Sequence, residues 1–371
     1  MIVSVPMPRA GQLECVCDPG TLGRTNEGRS GTIPLAAGFA FSVLAQILTL
    51  SILPLAGLAL APSHGLVALP YMAFYIGAAL ASLPASFLLD SFGRRAAFSL
   101  GASLGAAGGL VLVFALASMH FGALVLGSFW LGIAGGFSLF YRHAAVPVGG
   151  KGAGTVLIVF GAATLAGLIA PTLAFVAEDL ASTRVFAGTA AAAAVAHVAS
   201  LVATASLPYQ SRREHKTEAV GTPGWRAFLP PTLISAVGWF MMTALMGATP
   251  IAVIGCAPSE AAVGAVAWHV MAMYAPSLLL AFLPRLALPV HLSVTGGLLL
   301  AFGGAAFMLS TNASGFSLGA ACVGGGWSLV VLGTTLWVHR NGSLPRWLLG
   351  LHDGAALTGA ILGTLAASIF A

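Results

Sequence analysis

Apolar residues fill this chain in runs of membrane-spanning length, separated by short polar joins that hold most of the charge. Stretches near 35–60, 67–89, 96–118, 121–145, 152–176, 185–207, 228–254, 260–283, 286–309, 315–338 and 345–370 each approach or exceed the length of about 20 residues that a helix needs to cross a bilayer. The pattern predicts an all-α polytopic membrane protein with 11–12 transmembrane helices. The longest internal hydrophilic break, PYQSRREHKTEAVGTPGW at 208–225, splits the segments six before and five after. That division predicts two pseudo-repeated bundles: an N-terminal six-helix bundle over 33–207, a cytoplasmic linker over 208–227, and a C-terminal bundle over 228–371. Residues 1–32 are polar and Gly-rich, lack the apolar core of a secretory signal, and read as a flexible cytoplasmic tail.

Composition agrees with this class: 58% of residues are hydrophobic and 7% charged, against roughly 25% charged in ordinary soluble domains. Mean hydropathy is +0.97. If the chain starts in the cytoplasm, 14 of its 15 Lys and Arg residues fall on the inner side and only Arg184 on the outer. This bias predicts a multi-pass membrane protein with a cytoplasmic N-terminus. The net charge of +5 then reports topology and contact with anionic lipid; the scattered basic residues give no nucleic-acid footprint. Glycine runs such as GGG at 324–326 follow no strand, so they serve helix packing rather than phosphate binding. With no nucleotide-binding motif, the two-bundle pattern predicts a secondary transporter and not an enzyme.

SFLLDSFGRRAAF at 86–98 places an acid at a helix end, then a glycine and two arginines. Asp90, beside Arg94 and Arg95 across the Gly93 turn, could form ion pairs that break and remake as two bundles rock. The stretch resembles the signature loop between the second and third helices of the major facilitator superfamily, with Ser86 in the usual glycine place and Ser91 in the place of a usual arginine. That resemblance implies a cytoplasmic gate at these residues.

WFMMTALM at 239–246 and WHVMAMYAPS at 268–277 hold five of the ten methionines. Residues four apart share a helix face, so Met242 and Met246 present two thioethers, while His269 and Met273 present an imidazole and a third thioether from the next segment. Thioethers select soft Cu(I), carry no charge and need no deprotonation. The competing reading is plain packing: methionine fills gaps between helices, and a buried histidine often serves a structural hydrogen bond. LFYRHAAVPV at 139–148, WHVMAMYAPSLL at 268–279 and GGGWSLVVLGTT at 324–335 resemble a bacterial subgroup that contains the CcoA-type copper importers. Those importers supply copper for oxidase assembly and carry MxxxM and HxxxM pairs, matched here by Met242, Met246, His269 and Met273. Relatives lacking the pairs carry other cargo, including riboflavin. The resemblance implies Cu(I) as transported substrate, no permanently bound cofactor, and a cytoplasmic copper chaperone or exporter as receiving partner. A carrier for a small organic molecule, or a copper-binding sensor or assembly factor without transport, remain the alternatives.

Weaker candidates complete the set. Cys15 and Cys17 form a CxC in the tail, and Cys256 closes the seventh segment on its outer side. Arg142 and His143, at the inner end of the fourth segment, either line a cavity or anchor the helix to lipid head groups. His197 and His291 are candidates for a proton relay.

Overall fold

The computed structural model describes residues 31–146, 153–181, 184–208, 225–256, 259–340 and 344–367. All of their regular structure is helical, apart from 3₁₀ turns at His64–Leu66 and Pro284–Leu286. Helix α1 spans Thr32–Leu60. The next helix, Leu69–Ala117, contains one non-helical residue, Gly93, at φ 79° and ψ 176°. Its arms, 69–92 and 94–117, are named α2 and α3. The remaining helices are α4 Phe121–Ala144, α5 Gly154–Leu180, α6 Ala187–Ala205, α7 Trp225–Ile254, α8 Ser259–Phe282, α9 Pro289–Leu309, α10 Ala313–His339 and α11 Arg346–Ala367.

The packing against α4 shows that the chain folds back at Gly93. Gly77 of α2 lies against Phe129, and Gly108 of α3 lies against Trp130 and Leu131. Two residues almost equidistant from Gly93 thus meet the same level of α4, as an antiparallel hairpin requires. A left-handed φ suits glycine, whose missing Cβ removes the steric cost. Counted this way, eleven helical segments match the eleven apolar stretches of the sequence, with ends displaced by a few residues. Among the described residues, nine helices, the hairpin counted once, are long and apolar enough to cross a membrane.

Small residues set the helix spacing, as expected where lipid supplies no hydrophobic drive between helices. The Phe74 carbonyl leaves no room for a Cβ on Gly132 between α2 and α4. Two helix pairs join the first six segments to the last five. Gly161 of α5 packs on Leu278 of α8, and Gly350 of α11 packs on Ser82 and Ser86 of α2. Large apolar side chains such as Leu110, Phe175, Val195 and Phe302 point outward and are more than half exposed, which is the surface a hydrocarbon solvent covers.

The chain ends that meet at one face share their chemistry. The Gly93 turn, the C-termini of α4 and α10 and the N-terminus of α11 come together there. Arg94 Nη1 donates to the Ala144 carbonyl at 3.2 Å. Asp90 pairs with Arg346 of α11 at 3.2 Å, not with the neighbouring Arg94 and Arg95 that sequence proximity suggested. A side chain leaving a helix end reaches the facing helix more readily than the residue beyond its own sharp turn. This end of the molecule is the hairpin face.

Candidate functional site

Between the two bundles lies a cavity of about 50 Å³ lined from both sides. Phe39, Gln46, Phe74, Tyr75 and Phe160 face it from the first bundle, and Trp239, Tyr274 and Trp327 from the second. The rings interlock: Trp239 and Trp327 meet edge to face at 5.0 Å, Phe39 stacks on Phe160 at 5.6 Å, and Phe160 meets Tyr274 at 5.2 Å. Gln46 Nε2 donates to Ser138 Oγ at 2.7 Å, tying α1 to α4. The indole Nε1 donors of Trp239 and Trp327 are buried and have no hydrogen-bond partner among the described residues. Burying an unpaired donor costs about 1–3 kcal/mol, so these walls are suited to a ligand that carries acceptors.

Met242, Met246 and Met273 also line this cavity, so three of the four expected metal ligands share one space. His269 is not among the side chains that line it. Its Nδ1 lies 2.6 Å from the Ala320 carbonyl of α10, and it is only 2% exposed. The physical reason is the tight α8–α10 contact, where Gly324 backs onto the His269 backbone. One helical turn, about 5.4 Å, carries His269 from the cavity that Met273 faces into that contact. No group of three His, Cys, Asp or Glu side chains among the described residues is placed to hold a metal ion.

Arg142 and His143 are buried in the protein and do not anchor to lipid. Arg142 lines the cavity and forms an ion pair with Asp353 of α11. Nε2 of His143 lies 3.3 Å from Asp353 Oδ2, and its Nδ1 lies 3.0 Å from His339 Nε2 on α10. His352, next to Asp353, has Nδ1 2.8 Å from Thr232 Oγ1 of α7. Four helices thereby contribute to one buried charged cluster. Asp353, His339 and His352 are not among the residues expected from the sequence; an acid inside a membrane-length apolar run is the signal that marks Asp353.

The other candidates fall elsewhere. Cys15 and Cys17 lie outside the described residues. Cys256 is exposed at the end of α7, with its Sγ 3.5 Å from the Ala252 carbonyl. His197 is buried against Gly105 between α3 and α6, and His291 is exposed at the start of α9, so neither joins the cluster.

No family model matches the chain. It is 28% identical over 321 residues to the riboflavin transporter RfnT of Brucella anthropi, covering 84% of this chain and 80% of that one. Among solved structures, the human organic anion transporter TETRAN superposes with a TM-score of 0.69 at 14% identity, over 92% of this chain and 94% of its own. The Escherichia coli fucose:proton symporter FucP gives a TM-score of 0.63 at 12% identity, over 93% and 96%. None of the three is named as a copper importer. The chain is a multi-pass membrane protein with the major facilitator fold.

Proposed function

We propose that this chain is a secondary carrier for a planar organic molecule rich in hydrogen-bond acceptors, of the riboflavin class. The observation that carries this reading is the ring of aromatic side chains around a cavity between the bundles, two of which, Trp239 and Trp327, hold buried indole donors without a partner among the described residues. Aromatic walls hold a planar ring system through offset and edge contacts, each worth about 0.5–1.5 kcal/mol beyond buried area. The riboflavin transporter among the relatives supports the same class. At about 50 Å³ the cavity is far below the roughly 300–1,000 Å³ of small-molecule sites, so the bundles must part to admit cargo. That is the motion alternating access requires. On this reading the chain works in the bacterial inner membrane with the hairpin face in the cytoplasm, and the bundles over 33–207 and 228–371 rock about the cavity.

A second reading rests on Met242, Met246 and Met273, whose three thioethers suit Cu(I). Against it, the relative that shares 28% of its sequence with this chain is a riboflavin transporter.

Uptake of labelled riboflavin and of labelled copper into vesicles separates the two. Trp327→Leu should raise the riboflavin KM roughly 2- to 13-fold per lost ring contact at normal protein abundance. A Met242→Leu, Met246→Leu, Met273→Leu variant should leave riboflavin uptake within about threefold, because Met-to-Leu swaps cost little packing. Copper uptake that the triple variant abolishes, with no riboflavin uptake by the unaltered chain, would replace the first reading with the second.

A further inference from the structure

We infer that Asp353, with His143, His339, His352 and Arg142, forms a proton-binding site that couples the bundles to a proton gradient, and that Arg142 links it to the cavity. The inference rests on the carrier reading above. The cluster crosses the bundle interface: Arg142 and His143 belong to α4, His339 to α10, and His352 and Asp353 to α11. Asp353 is fully buried and Arg142 is 3% exposed. Among the described residues, the titratable and charged groups facing Asp353 are these three histidines and Arg142; Tyr274 of α8 shares the cavity wall with Arg142.

The cluster has more hydrogen-bonding atoms than its own contacts satisfy. Arg142 Nε, Asp353 Oδ2, His339 Nδ1 and His352 Nε2 are buried without a hydrogen-bond partner. Unpaired polar atoms cost about 1–3 kcal/mol each and more when charged, so four in one place is the signature of a site that takes up something else. No three of its acids and histidines are placed as metal ligands, and its space is a chain of side chains, not a ligand-sized void. A proton fits both constraints. His339, His143 and Asp353 form a line along which a proton can pass: His143 Nδ1 lies 3.0 Å from His339 Nε2, and His143 Nε2 lies 3.4 Å from Asp353 Oδ1.

The coupling follows from charge. With the histidines neutral, Arg142 and Asp353 cancel, and their pair holds α4 of one bundle against α11 of the other. When a proton binds an Asp353 oxygen, the carboxylate charge disappears and Arg142 keeps its guanidinium charge with no counter-ion. Arg142 then turns its donors, including the unpaired Nε, to an acceptor on cargo in the cavity that it already lines. Cargo and proton therefore bind cooperatively, and by linkage each raises the affinity for the other equally. Release of both restores the pair and closes the interface.

Infrared difference spectroscopy of the purified full chain reads carboxyl protonation without any substrate. A protonated-carboxyl band should grow as pH falls, vanish in Asp353→Asn, move in Asp353→Glu, and persist unchanged in Asp179→Asn, an exposed acid at the far end of α5. Riboflavin should strengthen the band at fixed pH. In vesicles, an inward proton gradient should raise riboflavin accumulation by a factor in the usual coupling range of roughly 5–150. Asp353→Asn should lose that response, and Asp353→Glu should retain part of it. A band that survives Asp353→Asn, or gradient-driven accumulation by that variant, would overturn the inference. If the band behaves as expected but the unaltered chain carries no riboflavin, the cargo assignment fails and the proton site stands.

Discussion

The latch at the hairpin face is not one interaction but two of unequal strength, and separating them tests how the bundles close. Arg346 reaches Asp90 at 3.2 Å, with the partners 24% and 47% exposed. Solvent-exposed pairs contribute about 0.2–1 kcal/mol, so Asp90→Asn should shift the open-to-closed ratio by no more than about fivefold. Arg346 Nη1 also donates to the Leu89 carbonyl at the end of α2. A hydrogen bond from a charged donor is worth about 1.5–3 kcal/mol. Arg346→Leu, which has no donor, loses both contributions, about 1.7–4 kcal/mol together, so it should shift the ratio at least roughly 20-fold. The assay places one cysteine at Ser138, on the cavity wall, in a chain whose Cys15, Cys17, Cys256 and Cys322 are replaced by Ser. A membrane-impermeant maleimide is then applied to inside-out vesicles. Labelling should rise sharply for Arg346→Leu and little for Asp90→Asn. An Asp90→Arg, Arg346→Asp exchange should recover only part of the closure, because aspartate cannot donate to Leu89. Equal labelling of the two single variants, or none in either, would refute the two-part latch.

Two further outcomes check the helix count and the place of His269. A reporter fused after residue 371 should read as periplasmic, since an odd number of crossings separates it from a cytoplasmic start; a cytoplasmic signal would mean that a crossing is missing from the count or that the hairpin does not span. His269→Gln should lower protein abundance or thermal stability by loosening α8 from α10. It should leave uptake per surviving molecule unchanged for riboflavin and copper alike, as measured by transport normalised to membrane-inserted protein; a specific loss of copper uptake would return His269 to the ligand set.

Hydropathy made the segments legible because a bilayer imposes one strict demand, that about 20 residues bury their backbone hydrogen bonds within a helix. Even the reversal at Gly93 was marked by the polar stretch around it. Orientation of each helix about its own axis was not legible, since in lipid both faces are apolar. Trp268 and Trp239 look alike in sequence, yet one is 68% exposed and the other 7%. Only the facing helices decide that Trp239 meets Trp327 while Trp268 meets lipid. The methionine spacing therefore located three cavity residues, but the same spacing argument placed His269 with them, because it ignores how tightly α8 approaches α10 at Gly324.

The charged cluster escaped for a different reason. His143 and Arg142 lie about two hundred residues from His339 and Asp353, and each alone reads as a polar residue near a helix end. Their meaning arises from convergence: a buried acid is tolerable only where a cation reaches it, and breaking such a pair costs about 3–5 kcal/mol. That cost is what makes the pair useful at a moving interface. An interaction too weak to hold the bundles could not be a lock, and one that nothing could discharge could never open. A carboxylate that a single proton neutralises satisfies both conditions, and it stands where the arginine released from it already faces the cavity.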